Sequence, residues 1–261
     1  MLYAVGDIHG HKEQLDRALD LIARDGGKNA TIVFLGDYTD RGPDSRGVIQ
    51  RLIDGVIEGR NWIVLRGNHD RMFTRFVRSG RIDDPAIKSG KSWLHTALGG
   101  PTTLASYSSM PGFLHPQGGG IETLQSYGLD PAPAQALEHL LAETRIAVPD
   151  THVTFLETRP LWYETPGLLF VHAGIRPGVP MSEQTEDDLV WIREPFLSDT
   201  RDHGALIVHG HTIQDYPRHF GNRVNLDGGA GAGRTLHPAV WDGHDWFLLK
   251  DDGREILRPE T

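Results

Sequence analysis

Five short stretches set Asp, Asn or His beside glycine: Gly6-Asp7-Ile8-His9-Gly10, Gly36-Asp37-Tyr38-Thr39-Asp40-Arg41-Gly42, Gly67-Asn68-His69-Asp70, Val171-His172-Ala173-Gly174 and Gly210-His211-Thr212. Each follows an apolar run, so the polar groups are expected in the crevice beyond the carboxyl ends of buried strands, where open α/β sheets keep their sites. Asp7, His9, Asp37, Asn68, His172 and His211 make a set of oxygen and imidazole ligands. The chain has no cysteine. Such a set suits Mn, Fe or Zn better than Ca or a closed structural zinc site. Asp37 is expected to bridge two metal ions, with Asp40 and Arg41 in the same turn to share the site.

The elements that position these groups follow from periodicity. Leu2 to Val5, Ile32 to Leu35 and Trp62 to Leu65 read as short buried strands. Between them, Leu15, Ala18, Leu19 and Ile22 recur at helical spacing, as do Val48, Ile49, Leu52, Ile53, Val56 and Ile57. Strand, helix, strand, helix, strand is the pattern of parallel βαβ units. Leu168 to Val171 and Leu206 to Val208 repeat the theme of a strand running into a ligand. Val224 to Leu226, Ala239 to Trp241 and Trp246 to Leu249, separated by glycine turns, read as antiparallel strands of a second sheet.

Residues 72–166 change character and are expected to form a mostly helical insertion within a single domain spanning 1–261. It holds a near-repeat, Gly99-Gly100-x-x-Thr103-Leu104-x-Ser106-Tyr107 and Gly119-Gly120-x-x-Thr123-Leu124-x-Ser126-Tyr127. Two copies read as a local duplication or two similar helix starts, not a solenoid. Gly228 to Gly233 fits no phosphate-binding spacing and reads as a flexible connection. Ser89-Gly90-Lys91-Ser92 resembles the tail of a P-loop, but Pro85 stands where the first glycine belongs. His209 is expected to stand behind the ligands.

Composition excludes several classes. With 261 residues, 38% hydrophobic and 23% charged, the chain is ordinary for a globular protein, and its net charge of −9 disfavours non-specific binding to nucleic acid or an anionic membrane. The absence of cysteine excludes disulfides, thiolate sites and a cysteine nucleophile. No apolar run approaches the ~18 residues of a membrane span, and the N-terminal residues lack a basic, apolar leader. The expected location is the cytoplasm, with no nucleic-acid or membrane partner.

The five stretches, in this order from residue 6 to residue 212, resemble the motifs of the phosphoprotein phosphatase family of metallophosphoesterases, of the bacterial Ser/Thr protein phosphatase type, which is related to the diadenosine tetraphosphate hydrolases. The resemblance implies an α/β fold, a calcineurin-like β-sandwich of two mixed sheets flanked by helices. It implies that Asp7, His9 and Asp37 hold one metal, and that Asp37, Asn68, His172 and His211 hold the other. His69 would be the general acid, oriented by Asp40. Arg41 would bind phosphate, as would Arg193 in Trp191-Ile192-Arg193, although Arg176 and Arg201 lie nearby in sequence. Thr39 stands for the usual Val, and Asp70 for the Glu usual in protein phosphatases.

These roles imply a chemistry. Two divalent ions, manganese first with iron or zinc as alternatives, can clamp an in-line displacement and activate a bridging hydroxide that attacks phosphorus directly. The expected enzyme is a phosphoesterase acting on phosphomonoesters, with phosphoserine and phosphothreonine in proteins as the main substrates and small phosphoesters besides. The alternative is a diadenosine tetraphosphate (dinucleotide polyphosphate) hydrolase, a branch that also carries Asp after Asn-His. Symmetrical dinucleotide hydrolases often lack the Asp of Asp-Arg-Gly, which this chain keeps as Asp40.

Overall fold

The computed structural model describes residues 1–81, 83–86, 126, 128 and 137–260. In chain order the elements are β1 (Leu2–Val5), α1 (Lys12–Gly26), β2 (Thr31–Phe34), α2 (Ser45–Ile57), β3 (Trp62–Val64), α3 (Asn68–Ser79), α4 (Leu137–Ala147), α5 (Asp150–Glu157), β4 (Trp162–Thr165), β5 (Leu168–Val171), α6 (Glu186–Trp191), β6 (Leu206–His209), β7 (Arg218–His219), β8 (Arg223–Asn225), β9 (Ala239–Trp241), β10 (Trp246–Lys250) and β11 (Gly253–Ile256). The strands form two mixed sheets. One has six strands in the order β11-β10-β9-β1-β2-β3, the other five in the order β4-β5-β6-β8-β7.

Alternation along the strands makes this a sandwich. Because side chains point to opposite faces in turn, Tyr3 and Val5 of β1, with Ile32 and Phe34 of β2, join the core built with the helices. Ala4 and Val33 point the other way and meet Leu168 and Phe170 of β5, Val208 of β6, and Trp246 and Leu248 of β10. That second cluster is the layer between the sheets. Strands buried on both faces need a near-continuous apolar run, which is why Ile32 to Leu35 and Leu168 to Val171 carry one.

The parallel trios β1-β2-β3 and β5-β6-β8 point their carboxyl ends at the site. Helix α1 buries Leu15, Ala18, Leu19 and Ile22, and α2 buries Val48, Ile49 and Leu52. Ile57, in the last turn of α2, is 79% exposed. Asp84 and Asp187 pair with the buried Arg71 guanidinium of α3, and this helix packs on α4 and α5.

Two expectations meet a different arrangement. The hairpin β9-β10 belongs to the first sheet, with Leu2 of β1 paired to Trp241, while the strand at Val224 is parallel to β6 in the other sheet. Adjacency in sequence suggested one sheet. Instead, burial of Ala239, Trp246 and Leu248 in the intersheet layer puts the hairpin across the sandwich from β8. Within 72–166, α4 and α5 are helical, but Trp162–Thr165 is a strand paired with β5. The near-repeat at 99–107 and 119–127 lies outside the described residues, apart from Ser126. Among the described residues no helix is long and apolar enough to cross a membrane.

Candidate active site

The turns after the parallel strands are tied to one another by backbone bonds. Ile8 and His9 N–H donate to the Asp37 carbonyl (3.1 and 2.8 Å), Gly10 N–H donates to Tyr38, and Gly42 N–H donates to His9. On the other sheet, Gly210 N–H donates to the His172 carbonyl at 2.8 Å. The two sets are joined by His211 N–H, which donates to the Asp7 carboxylate (3.1 Å). Among the described residues the only non-glycine positions with positive φ are His9, Asp37, Asp40, Arg41 and His211. Backbone in this region costs free energy and collects at functional sites; here all five positions are site candidates.

Asp37 lies at the centre. Its Oδ2 faces His9 Nε2 at 3.6 Å, and its Oδ1 faces His172 Nε2 at 3.4 Å. The carboxylate thus turns one oxygen to each half of the site. Each histidine is oriented from behind. His9 Nδ1–H donates to the Thr39 carbonyl (2.8 Å) and His172 Nδ1–H to the Leu35 carbonyl (2.9 Å), so both present an Nε2 lone pair to the centre. His172 Nε2 and His211 Nδ1 lie 2.9 and 2.8 Å from Asn68 Oδ1, and Asp7 lies 3.9 Å from His9 Nε2.

The donor set fits divalent cations. The His172 lone pair faces two oxygens, Asn68 Oδ1 and Asp37 Oδ1, with no proton between them. Acceptors turned on one another make a ligand shell, not a hydrogen-bond network. His211 Nε2 is buried without a partner among the described residues. Burial, then the neighbouring Asp227 and Asp37 charges, push the Asp7 carboxyl well above its usual range, and burial with Asp70 does the same to Asp37. Cations would offset that cost. Burial pushes His9 and His211 well below their ordinary pKa, and His172 down to about 3, aided by the charges of Arg193 and Arg41. Neutral imidazole is the form that binds metal. Among the described residues, two groupings have donor atoms close enough to share an ion: His9 with Asp37 and His69, and Asp37 with His172 and His211.

Glycines make the convergence possible. A Cβ at Gly67 would lie 2.2 Å from Asp37 Oδ1, and one at Gly210 would lie 2.1 Å from Asp7 Oδ1.

Beside this centre, His69 Nδ1–H donates to Asp40 Oδ2 at 2.6 Å, both groups being buried. Arg41 spans two imidazoles, with Nη1 2.6 Å from His9 Nε2 and Nη2 3.2 Å from His69 Nε2. Burial and then the Arg41 charge push His69 well below its usual range. Arg193 is exposed just beyond α6, and its guanidinium makes no hydrogen bond or ion pair among the described residues, while its carbonyl accepts from Leu197 N–H (2.9 Å). Its sequence neighbours are engaged elsewhere: Arg176 with Asp188 (2.7 Å) and Arg201 with Asp199. Asp70 is a clamp. Its carboxylate accepts N–H from Asp37 (2.9 Å), Tyr38 (2.9 Å), Thr39 (3.3 Å) and Gly67 (3.0 Å), fixing the Asp37 turn to the start of α3. His209 is fully buried, its Nδ1–H donating to the Gly210 carbonyl at 3.0 Å and its ring edge-on to Phe196.

One residue of the site was missed from sequence. Asp227 is 3% exposed and close enough to Asp7 to raise its pKa, and its Cβ lies beside Gly210, which the Asp7 carboxylate crowds. Its signal was present, for Leu226-Asp227-Gly228 repeats the strand-then-Asp pattern of Asp7 and Asp37. The segment read as a flexible connection is a packed 3-10 turn, Ala230–Ala232, whose Gly231 lies against His9 and Arg41.

Comparison with known proteins gives the same picture. An asymmetrical bis(5'-nucleosyl)-tetraphosphatase PrpE of Bacillus thuringiensis (strain Al Hakam) is 25% identical over 239 residues, covering 89% of this chain and 87% of that one. A protein named "putative serine/threonine-protein phosphatase C06A1.3" of Caenorhabditis elegans is 42% identical over 67 residues, 25% of this chain and 18% of its own. The crystal structure of "a putative diadenosine tetraphosphatase" superposes with a TM-score of 0.61 at 21% identity, covering 95% of this chain and 92% of that one. The family model of the calcineurin-like phosphoesterases matches residues 2–227. With the metal-fitting centre between two mixed sheets, these findings establish that the chain belongs to the calcineurin-like phosphoesterase family and is a metal-dependent phosphoester hydrolase.

Proposed function

We propose that the protein hydrolyses phosphomonoesters, with phosphoserine and phosphothreonine side chains as its principal substrates and manganese as its metal. Asp7, His9 and Asp37 would hold one ion, and Asp37, Asn68, His172 and His211 the other. Bound there, two divalent ions supply charge neutralisation and an activated water. The chain's own groups do the rest. Arg41 and Arg193 would grip phosphoryl oxygens; with a cation on the His9 lone pair, Arg41 would give up that contact and be free to turn its planar fork to the phosphate. His69, on which Arg41 Nη2 rests, would give its proton to the leaving oxygen.

The observation that carries this reading is the 2.6 Å bond from His69 to the buried Asp40. An alkoxide is a poor leaving group and needs a proton, and a carboxylate behind the imidazole both fixes its tautomer and favours its protonated form. Burial and Arg41 favour the neutral ring; a phosphoryl dianion held between Arg41 and His69 shifts that balance toward imidazolium.

A second reading, hydrolysis of dinucleoside tetraphosphates, is supported by the names of relatives matching 89% of the chain. A nucleotide phosphate leaves as a stabilised anion and needs the acid far less. Asp70, shared with that branch, contacts backbone N–H groups and bears on neither substrate. The test is turnover on a phosphoserine peptide and on diadenosine tetraphosphate side by side, with Mn2+ supplied. The first reading expects higher kcat/KM on the peptide and a sharp loss in Asp40→Asn. Faster cleavage of the dinucleotide, unchanged by Asp40→Asn, would establish the second.

A further inference from the structure

The turn Gly229–Gly233 has no part in the site as described so far, yet it lies on it. It is fixed by its own bonds: Asp227 Oδ1 accepts from Gly229 N–H (3.0 Å), Ala232 and Arg234 N–H donate to the Gly229 carbonyl (2.9 and 3.1 Å), and Gly233 N–H donates to Ala230 (2.8 Å). Arg234 ties its far end to Asp215 (2.8 Å) and to the Gln214 carbonyl. Ala230 is buried in the core. This is a wall with a set position. Gly231 is the point where it meets the chemistry: a Cβ there would lie 2.5 Å from the His9 ring, 2.9 Å from Arg41 Nη1 and 3.0 Å from Arg41 Cδ. Gly231 has no positive φ, so its backbone would accept a side chain, and only the neighbours forbid one.

We infer that Gly231 is a positioning residue for phosphoryl recognition. Its bare backbone leaves the space in which Arg41 turns its guanidinium from His9 to phosphate, so a side chain at 231, meeting Arg41 Nη1 and Cδ, hinders the phosphate-binding fork. This rests on the assignment of Arg41 to phosphate made above. Two turn positions separate space from backbone strain. Gly233 is left-handed (φ +82°) with nothing among the described residues within 4 Å of where a Cβ would sit, and Asn tolerates that conformation.

The experiment compares Gly231→Ala, Gly233→Asn, Arg41→Ala and the Arg41→Ala/Gly231→Ala double variant in the full chain loaded with Mn2+. Equilibrium binding of inorganic phosphate and bound metal by elemental analysis are the readouts. Loss of a charge-assisted contact predicts that Gly231→Ala weakens phosphate binding about tenfold, with metal content unchanged. Gly233→Asn should stay within about twofold. In the Arg41→Ala background, Gly231→Ala should have no further effect. Normal phosphate binding in Gly231→Ala, full multiplication of the two effects, or loss of metal in Gly231→Ala would overturn the inference. If Gly231→Ala folds only together with Arg41→Ala, the side chain of Arg41 is the obstacle and the inference stands; failure in both backgrounds refutes it. If Arg41→Ala itself binds phosphate normally, the reading of Arg41 falls and the inference with it. A deficit in Arg41→Ala but not in Gly231→Ala refutes the inference alone.

Discussion

The two sheets contribute unlike chemistry to one crevice. The ends of β1, β2 and β3 carry Asp7, His9, Asp37, Asp40, Arg41, Asn68 and His69, among them every group proposed to handle charge or protons apart from Arg193. The ends of β5 and β6 carry His172 and His211, which enter as neutral imidazoles. Three residues of the first sheet reach the second: Asp7 through His211 N–H, Asn68 through both imidazoles, and Asp37 through the oxygen facing His172. On the proposed roles, a reactive half is held against a purely ligating half, and Asp37 would belong to both.

That asymmetry can be broken first at Asp37. Asp37→Asn should cost about 10⁴-fold or more in kcat/KM, since it disturbs both ions and each is worth several kcal/mol. His9→Ala and His172→Ala, each on one side only, should cost less. Steady-state kinetics with metal analysis checks this; two tightly held ions and near-normal turnover in Asp37→Asn would end its bridging role.

The reactive half alone is sharpened by His69→Ala. It should retain its metals and lose roughly 10²–10⁴ on alkyl phosphates, the usual reach of general acid catalysis. An aryl phosphate, whose leaving group barely needs a proton, should show a much smaller loss. Equal losses on both would assign His69 another role, such as the metal ligation that its distance to His9 and Asp37 permits.

Arg193→Ala should weaken substrate binding about tenfold. Arg176→Ala and Arg201→Ala, already paired with Asp188 and Asp199, should leave KM nearly unchanged, and a reversed ranking would move the second phosphate contact. The smallest rate effect is expected at Asp70. Asp70→Asn should retain most of its turnover while denaturant unfolding shows about 1–3 kcal/mol lost, because an amide cannot accept from all four N–H groups. A large rate loss at unchanged stability would make Asp70 part of the chemistry.

Much of this site was legible in sequence because the signal is local: a buried strand, a glycine, a ligand. Six candidate ligands, from Asp7 to His211, and the His69–Asp40 pair lie together in one crevice. Asp227 carried the same signal but stood in a glycine-rich segment that masked it. Which sheet a strand joins depends on contacts far apart in sequence, so the hairpin at Trp241 and Trp246 was misplaced while its pairing partner Leu2 lay more than two hundred residues away. The fixed position of Gly231 was equally hidden, since composition suggests freedom where Asp227, Ala230 and Arg234 pin the turn.

The central claim is that one carboxylate joins two ions. A crystal of the Mn2+-loaded protein, with anomalous scattering recorded at the manganese edge, tests it directly. Two peaks about 3.5–4 Å apart are expected, with Asp37 Oδ2 toward the peak beside His9 and Oδ1 toward the peak beside His172. A single peak, or two peaks with Asp37 touching only one, would contradict it.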